Sequence, residues 1–276
     1  MDASGTVVIV IVVAVVLVVA VLLGLRSWLA RRDVHVFRVQ AGLAWVIPSY
    51  DEQGRATRVL RVAGANQSAT YVDDWLWAVP VSPYIKRFEL VFDAAIPVRD
   101  VLMLGGGGYS FPKLVVSAHP QARIDVVEID PRITAIARRY FFLDRLIVQF
   151  DTEATGRLGL IEADALSFLR EHEGLYDAIV NDTFAGKHPA RDLMTPAALA
   201  LIASRLRSDG IYVTNVVSPL EGPGSEVLQE TVSACEQAFS WVTVVSCATD
   251  DPGSIDNRLV VASDAEQHLS HLGQRL

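Results

Sequence analysis

Two stretches of sequence decide the fold: Val101-Leu-Met-Leu-Gly-Gly-Gly-Gly108 and Val127-Glu-Ile-Asp-Pro131. Each is a short apolar run that ends in glycine or an acidic residue, and each is followed by a segment with helical periodicity. Short apolar runs bounded by such turn signals are typical of buried strands, and their alternation with helices is typical of β-α units. The two stretches therefore predict strands of a parallel sheet that is covered by helices on both faces, the doubly wound α/β class.

The same alternation continues toward the C-terminus and defines a large α/β body. Strands are predicted at 98–104, 124–129, 158–163, 177–181, 210–216, 241–246 and 257–262. Upstream, residues 34–72 alternate apolar and polar side chains around turn-like segments, which predicts a small antiparallel β unit. We therefore expect three parts: an N-terminal segment (1–32), the β unit with a linker (33–95) and the α/β domain (96–276).

Residues 6–25 form an uncharged run of Val, Ile, Leu and Ala that predicts a transmembrane helix. Twenty helical residues span about 30 Å, the thickness of a bilayer core. A cleaved signal peptide is the alternative, but it needs a basic segment before the apolar run. Basic residues instead follow the run, at Arg26, Arg31 and Arg32. They favour a retained single-pass anchor in the lipid bilayer, with the C-terminal domain in the cytoplasm.

Charge and cysteine content exclude several classes of function. The whole chain has a formal net charge of −8. Residues 1–32 contain one acidic and three basic residues, a net charge of +2, so the remaining residues carry −10. An acidic body repels phosphate backbones, and we expect no nucleic-acid partner. The sequence has only two cysteines, Cys235 and Cys247, and they are separated in the chain. They exclude a disulfide scaffold and a cysteine-based metal centre, and no metal site is predicted.

The residues that suggest chemistry stand at the ends of predicted strands. The first strand ends in Gly105-x-Gly107, where the missing side chains let a ligand approach the backbone. The second ends in Glu128, whose carboxylate can accept two hydrogen bonds from a ribose diol. The third leads to Asp164, which can accept from an exocyclic amine such as that of adenine, and the fourth leads to Asp182. Since ligands bind at the carboxyl ends of such strands, the set predicts a nucleoside site.

Other interpretations of these residues exist. Glu128 or Asp164 taken alone could cap a helix, and we assign Asp130 to that role. Ser110, with the proline two residues on, is predicted to cap the next helix. A nicotinamide dinucleotide site is the main alternative ligand, but its G-x-G-x-x-G fingerprint has a third glycine where this chain has Ser110. His188 is a candidate base in a loop, where solvation is the more common role of histidine.

The sequence resembles the spermidine synthase family, the polyamine aminopropyltransferases, over roughly residues 34–245. The family lies on the Rossmann-like class I AdoMet-dependent methyltransferase fold, which the resemblance therefore implies. The similarity is carried by Val101-Leu-Met-Leu-Gly-Gly-Gly-Gly108, Val127-Glu-Ile-Asp-Pro131, Tyr140-Phe141, Glu162-Ala-Asp164-Ala-Leu-Ser-Phe-Leu169, Tyr176-Asp-Ala-Ile-Val-Asn-Asp182 and, upstream, Leu60-Arg-Val-Ala-Gly64-Ala-Asn-Gln67-Ser68.

The resemblance implies a binding role for each donor-side residue. Glu128 would bind the ribose, and Asp164, with Ala165 beside it, the adenine. The loop at Gly105 and Gly107 would hold the amino-acid-like tail. The cofactor, used as a co-substrate, would be S-adenosylmethionine (AdoMet) or decarboxylated AdoMet.

On the acceptor side, the resemblance implies a catalytic role for Asp182 and a substrate-binding role for Gln67. The family's Tyr-containing element after the β unit is not recognisable here, and Tyr84 is the candidate to replace part of it. The expected partner is a small-molecule acceptor, for which an amine is one candidate, and a homodimer stays open.

Two carboxylates of the family pattern are missing. Gly108 stands where the glycine-rich motif has Asp, and Ala185 stands where the Asp-Ser-x-Asp-Pro motif has its second Asp. An Asp at position 108 would attract the ammonium of decarboxylated AdoMet and repel the carboxylate of AdoMet. Its loss favours methyl transfer over aminopropyl transfer. A genuine spermidine synthase and a catalytically degenerate nucleoside-binding module remain the alternatives.

Overall fold

The computed structural model describes residues 3–185 and 188–267. Its first element is the helix α1 (Ala3–Arg31), and the segment Ile11–Leu29 has a mean hydropathy of 2.6. The apolar side chains of this helix are about half exposed, as for Val16 at 60%, because no other element covers them within the described chain. By length and composition this helix could cross a membrane, a property that it shares with signal sequences.

The predicted β unit is an antiparallel sheet in the order β1-β2-β3-β4. Its strands are β1 (His35–Val39), β2 (Gly42–Tyr50), β3 (Ala56–Val62) and β4 (Ala65–Tyr71). Alternate side chains of neighbouring strands, such as Val46 and Leu60, are fully buried. They belong to one hydrophobic cluster with residues of the α/β body, so the unit packs directly on that body. The connection contains the helix α2 (Pro83–Arg87) and a 3₁₀ helix (Phe88–Asp93).

The α/β body follows the predicted alternation. Its strands are β5 (Asp100–Leu104), β6 (Arg123–Glu128), β7 (Leu158–Glu162), β8 (Tyr176–Asn181), β9 (Phe184–Ala185), β10 (His188–Pro189), β11 (Leu206–Ser218), β12 (Trp241–Ser246) and β13 (Asp256–Ser263). Its helices are α3 (Ser110–Ala118), α4 (Pro131–Tyr140), α5 (Leu143–Gln149), α6 (Thr152–Thr155), α7 (Ala165–Glu171), α8 (Pro196–Ser204) and α9 (Glu226–Ala238). A further 3₁₀ helix spans Arg191–Met194.

Within the described residues, seven strands form the central sheet in the order β7-β6-β5-β8-β11-β13-β12. Successive side chains of β5 point to opposite faces: Met103 joins the cluster that contains the β unit, and Leu102 joins the cluster on the other face. The strands β6 and β7 lie on one side of β5 and β8 lies on the other, so the winding reverses at β5. A ligand is expected at the carboxyl ends of the strands beside such a reversal.

The predicted parallel sheet contains one antiparallel strand, the last one in the chain. The strand β13 runs antiparallel to both of its neighbours, β11 and β12. Its connection to β12 spans only residues 247–255, and the structure places no helix there. Because a parallel crossover needs a dozen or more residues, a link this short returns the chain in the opposite direction. The doubly wound α/β fold is otherwise confirmed.

Of the two predicted helix caps, Asp130 is confirmed and Ser110 is not. Asp130 caps α4 by accepting a hydrogen bond from the backbone of Arg132 at 3.0 Å. Ser110 was predicted to cap α3, but Tyr109 precedes that helix in a left-handed conformation. The hydroxyl of Ser110 instead donates to the carbonyl of Ala69 at 3.1 Å. It therefore links the glycine-rich loop to the β unit.

Lys113 provides a second link between the two parts. Its side chain is 1% exposed, and Nζ donates to Thr70 Oγ1 at 2.8 Å and to the carbonyl of Trp77 at 2.9 Å. Burial lowers the pKa of Lys113 to about 7. A lysine this deeply buried keeps its two partners in fixed positions, so the end of β4 and the segment before α2 are tied to α3.

Candidate functional site

A cleft of about 780 Å³ lies between the β unit and the carboxyl ends of β5, β6 and β8. The structure brings all eight site residues predicted from the sequence to its walls. They are Gln67, Tyr84, Gly105, Gly107, Glu128, Asp164, Ala165 and Asp182. Residues far apart in sequence meet here because the parallel strands end at one edge of the sheet.

Glu128 holds the glycine-rich loop in place. Its Oε2 accepts hydrogen bonds from the backbone of Gly106 at 3.0 Å and of Gly107 at 3.1 Å. Its Oε1 accepts one from the backbone of Asp130 at 3.0 Å. Glu128 is 9% exposed and lines the cleft, so its carboxylate combines a structural role with access to the cleft. Carboxylate oxygens carry further lone pairs for a ligand.

Gly105 and Gly107 serve different purposes. Gly105 has φ +90°, and a Cβ on it would lie 2.7 Å from the carbonyl oxygen of Asp182. Only glycine therefore lets the ends of β5 and β8 come this close. Gly107 has φ +51°, and a Cβ on it would meet no described atom within 4 Å. The space above Gly107 is thus open on the cleft side of the loop.

Asp164 stands at the far end of the cleft, at the start of α7. Its Oδ1 accepts from the backbone of Ser167 at 2.9 Å, so it is an N-cap. Its Oδ2 has no hydrogen-bond partner among the described residues, and the side chain is exposed. Ala165, the next residue, is buried. Capping therefore leaves one carboxylate oxygen of Asp164 for a ligand.

Asp182 lies at the other end, in a small hydrogen-bonded group. Tyr84 donates to its Oδ2 at 3.2 Å, and Asn215 Nδ2 donates to its Oδ1 at 3.0 Å. Burial raises the pKa of Asp182 to about 6, while these two bonds act in the opposite direction. Burial and the neighbouring Asp182 charge raise the pKa of Tyr84 well above its usual value, so Tyr84 stays a protonated donor. At neutral pH, Asp182 is an ionised carboxylate of unusual basicity.

Asn215 was not identified from the sequence. It sits in β11, near the carboxyl end of that strand, lines the cleft and is 2% exposed. Its Oδ1 has no partner among the described residues. The sequence did contain an indication of this role. Asn215 is a polar residue near the carboxyl end of the predicted strand 210–216, and the other predicted strands carry site residues at that end.

Asp192 was also missed. It lies in the 3₁₀ helix Arg191–Met194, is exposed and lines the cleft. The backbone N–H of Ala190 donates a hydrogen bond to the carbonyl of Thr183 at 3.1 Å. This bond holds the segment that contains Asp192 next to the loop that contains Asp182. The backbones of Ala185 and His188 form the hairpin between the two, and their side chains lie outside the described part of the structure.

The loop residues Gly108 and Tyr109 are fixed by packing. A Cβ on Gly108 would lie 2.8 Å from Ser68 Cβ and 3.1 Å from Phe141 Cδ1. The position is therefore filled by its neighbours, and an aspartate could not enter it while Ser68 stays in place. Tyr109 is 1% exposed, and its hydroxyl lies 2.8 Å from Thr134 Oγ1.

Known proteins resemble this chain over the same region. The family model described as the spermine/spermidine synthase domain matches residues 88–252. Putrescine N-methyltransferase 1 of Nicotiana tabacum is 26% identical over 175 residues, which are 60% of this chain and 45% of that protein. The polyamine aminopropyltransferase of Vibrio vulnificus (strain CMCP6) is 31% identical over 142 residues, 49% of this chain and 44% of that protein. The chain thus spans somewhat less than half of these curated relatives.

A solved structure extends the likeness to the β unit. The probable spermidine synthase from Corynebacterium glutamicum ATCC 13032 superposes with a TM-score of 0.67 over 84% of this chain and 80% of its own, at 18% identity. At that identity the match supports the fold, while the family model covers more than half of the chain. The chain therefore belongs to the spermidine synthase family, on a methyltransferase-like fold.

Proposed function

We propose that this chain is a membrane-anchored transferase that uses an AdoMet-type donor and passes an alkyl group to an amine, with methyl favoured over aminopropyl. The observation that carries the proposal is the arrangement of one cleft. Glu128, the loop at Gly107 and Asp164, which we assign to the nucleoside, line the same cleft as the basic carboxylate of Asp182. Members of the family use AdoMet or decarboxylated AdoMet, and its curated relatives here include both methyl- and aminopropyltransferases.

The proposed donor fits the cleft by its chemistry. The free lone pairs of Glu128 accept from the ribose hydroxyls, and the free Oδ2 of Asp164 accepts from the adenine amine. The glycine-rich loop, open above Gly107, lets the amino-acid part lie against the backbone. This orientation directs the sulfonium toward Asp182. Its negative charge favours a sulfonium nearby, which strengthens the placement.

The proposed reaction is an in-line displacement at a carbon next to sulfur. The nitrogen lone pair of the amine forms the new N–C bond, and the electrons of the breaking C–S bond remain on sulfur as a neutral thioether. Asp182 accepts the proton that the nitrogen sheds, a role that suits a carboxylate with a pKa of about 6. Positioning contributes most of the rate in such a step, and Tyr84 and Asn215 hold Asp182 in place.

Methyl transfer is favoured because no carboxylate lies at position 108 to repel the carboxylate of AdoMet. A genuine aminopropyltransferase is the second candidate, and Asp192 is the observation in its favour. This exposed carboxylate lines the same cleft as Asp182 and stands in for the charge lost at Ala185. A module that binds nucleoside without chemistry is the third candidate. The raised pKa of Asp182, about 6, argues against it, since carboxylates with perturbed pKa values cluster at functional sites.

The membrane anchor is part of the proposal. The helix α1 exposes its apolar side chains, and the backbone of Val34 donates to the carbonyl of Leu29 at 3.0 Å, so the body begins directly after the helix. Arg26, Arg31 and Arg32 flank the apolar run on the side of the body. They favour a cytoplasmic body.

For the topology, a reporter fused after residue 276 is expected to be active only in the cytoplasm. The chain should also stay with membranes after carbonate washing, because about 20 apolar residues span the bilayer. Release of a shortened soluble protein would contradict the anchor and favour a signal peptide.

For the nucleoside end, Glu128→Ala is expected to weaken AdoMet binding by about 1.5–3 kcal/mol, since hydrogen bonds to a charged group are lost. The readout is calorimetry on the full chain in detergent. Glu162→Ala is the matched control, because Glu162 pairs with Glu128 on the neighbouring strand, is exposed and does not line the cleft. Unchanged affinity in Glu128→Ala, with the circular dichroism spectrum intact, would limit Glu128 to its structural role.

For the reaction, the full chain is incubated with putrescine as the probe acceptor and either AdoMet or decarboxylated AdoMet. We expect methylated putrescine to exceed spermidine. Asp182→Asn should abolish the product, because Asp182 accepts the proton of the amine, and should weaken AdoMet binding only in part, because the charge beside the sulfonium is lost while the contacts at Glu128 and Asp164 remain. Robust spermidine formation would establish the aminopropyltransferase instead, and donor binding without any product would favour the non-catalytic module.

For the pH dependence, kcat/KM is expected to fall below about pH 6, where Asp182 becomes protonated. The bond from Tyr84 stabilises the ionised form, so Tyr84→Phe should raise the pKa of Asp182 and move this acid limb about 0.5–1 unit higher. Tyr50→Phe, on an exposed side chain outside the cleft, is the control. An acid limb that Tyr84→Phe leaves in place would contradict the role of Asp182 as proton acceptor.

A further inference from the structure

Ser68 of β4 fills the space beside Gly108. Its Cβ lies 2.8 Å from the place where a Cβ on residue 108 would stand, and its hydroxyl lies closer still. Ser68 and Gly108 both line the cleft, and Ser68 is half-buried. A neutral hydroxyl of the β unit therefore occupies the region that a carboxylate at position 108 would otherwise enter.

The hydrogen bonds around Ser68 leave its proton free to change partner. Ser110 donates its one hydroxyl hydrogen to the carbonyl of Ala69 at 3.1 Å. In the contact of 3.2 Å between the hydroxyls of Ser68 and Ser110, Ser68 must then be the donor. Ser110 is 5% exposed and locked between the two parts, whereas Ser68 borders the cleft. Ser68 can therefore rotate its hydrogen from a long bond toward a ligand.

We propose that Ser68 is the residue that selects the donor, by donating a hydrogen bond to the carboxylate of the AdoMet tail. The inference rests on the proposed function, which lays that tail along the glycine-rich loop. An ionised acceptor makes a stronger bond than the hydroxyl of Ser110, so AdoMet gains from the exchange. Decarboxylated AdoMet has no carboxylate there, and Ser68 keeps its bond to Ser110. Selection thus comes from an attractive contact of the β unit rather than from the glycine-rich loop alone.

The test measures the affinities of the full chain in detergent for AdoMet, decarboxylated AdoMet and methylthioadenosine, which lacks the tail. Ser68→Ala is expected to weaken AdoMet binding about tenfold and to change the other two less than about twofold. Ser68→Asp is expected to shift the preference toward decarboxylated AdoMet by about 10–100-fold, through like-charge repulsion of the AdoMet carboxylate. Ser49→Ala, on β2 and outside the cleft, is the control that should change none of the affinities.

The outcomes separate this inference from the proposed function. If the wild-type chain binds methylthioadenosine but Ser68→Ala weakens all three ligands equally, or none of them, Ser68 does not contact the tail and the inference is overturned. If the wild-type chain binds none of the three, the proposed function itself fails. Should Ser68→Asp prevent folding, Ser68→Ala decides alone, since it only removes an oxygen atom.

Discussion

The cleft depends on the buried carboxylate of Glu128. Its two oxygens accept three backbone N–H groups, from Gly106, Gly107 and Asp130, and a buried charge is tolerated only with such partners. The same carboxylate thereby fixes the loop after β5 to the end of β6. Without Glu128, the backbone N–H groups of Gly106 and Gly107 would lose the carboxylate that holds them. The backbone below the open space at Gly107 would then no longer be fixed. The part of the cleft that we propose for the nucleoside is thus shaped by the protein alone.

Much of the fold and site could be predicted because the information is local. An apolar run followed by glycine or a carboxylate identifies a strand and the residue at its end, as at Leu104-Gly105 and Ile161-Glu162. Parallel strands then bring these ends to one edge without further knowledge of packing. The direction of β13 was also predictable in principle, since nine residues after β12 are too few for a crossover. The length of the segment 247–255 indicates an antiparallel strand, whereas the repeated β-α pattern before it favours a parallel one.

The residues that were missed owe their places to tertiary contacts. Asp192 reaches the cleft only because Ala190 bonds back to Thr183, and Ser68 borders the glycine-rich loop only because the β unit packs on α3. The sequence pattern predicts that Gly108 replaces a carboxylate, but it does not show that Ser68 fills the adjacent space. A missing motif residue therefore has to be interpreted together with the residue that replaces it in space, which here comes from β4.

At the end of the cleft that we propose for the acceptor, two opposing effects act on the carboxylate of Asp182. Burial makes Asp182 more basic, and the bonds from Tyr84 and Asn215 make it less so. If burial acted alone, a larger fraction of Asp182 would be protonated at neutral pH. That protonated fraction could not accept a proton from an amine. If the bonds dominated, the carboxylate would be ionised but too weakly basic to assist. The carboxylate follows the end of β8, the amide comes from β11 and the phenol from α2, so this balance depends on how three parts of the fold pack together. The proposed amine chemistry therefore depends on the fold as a whole.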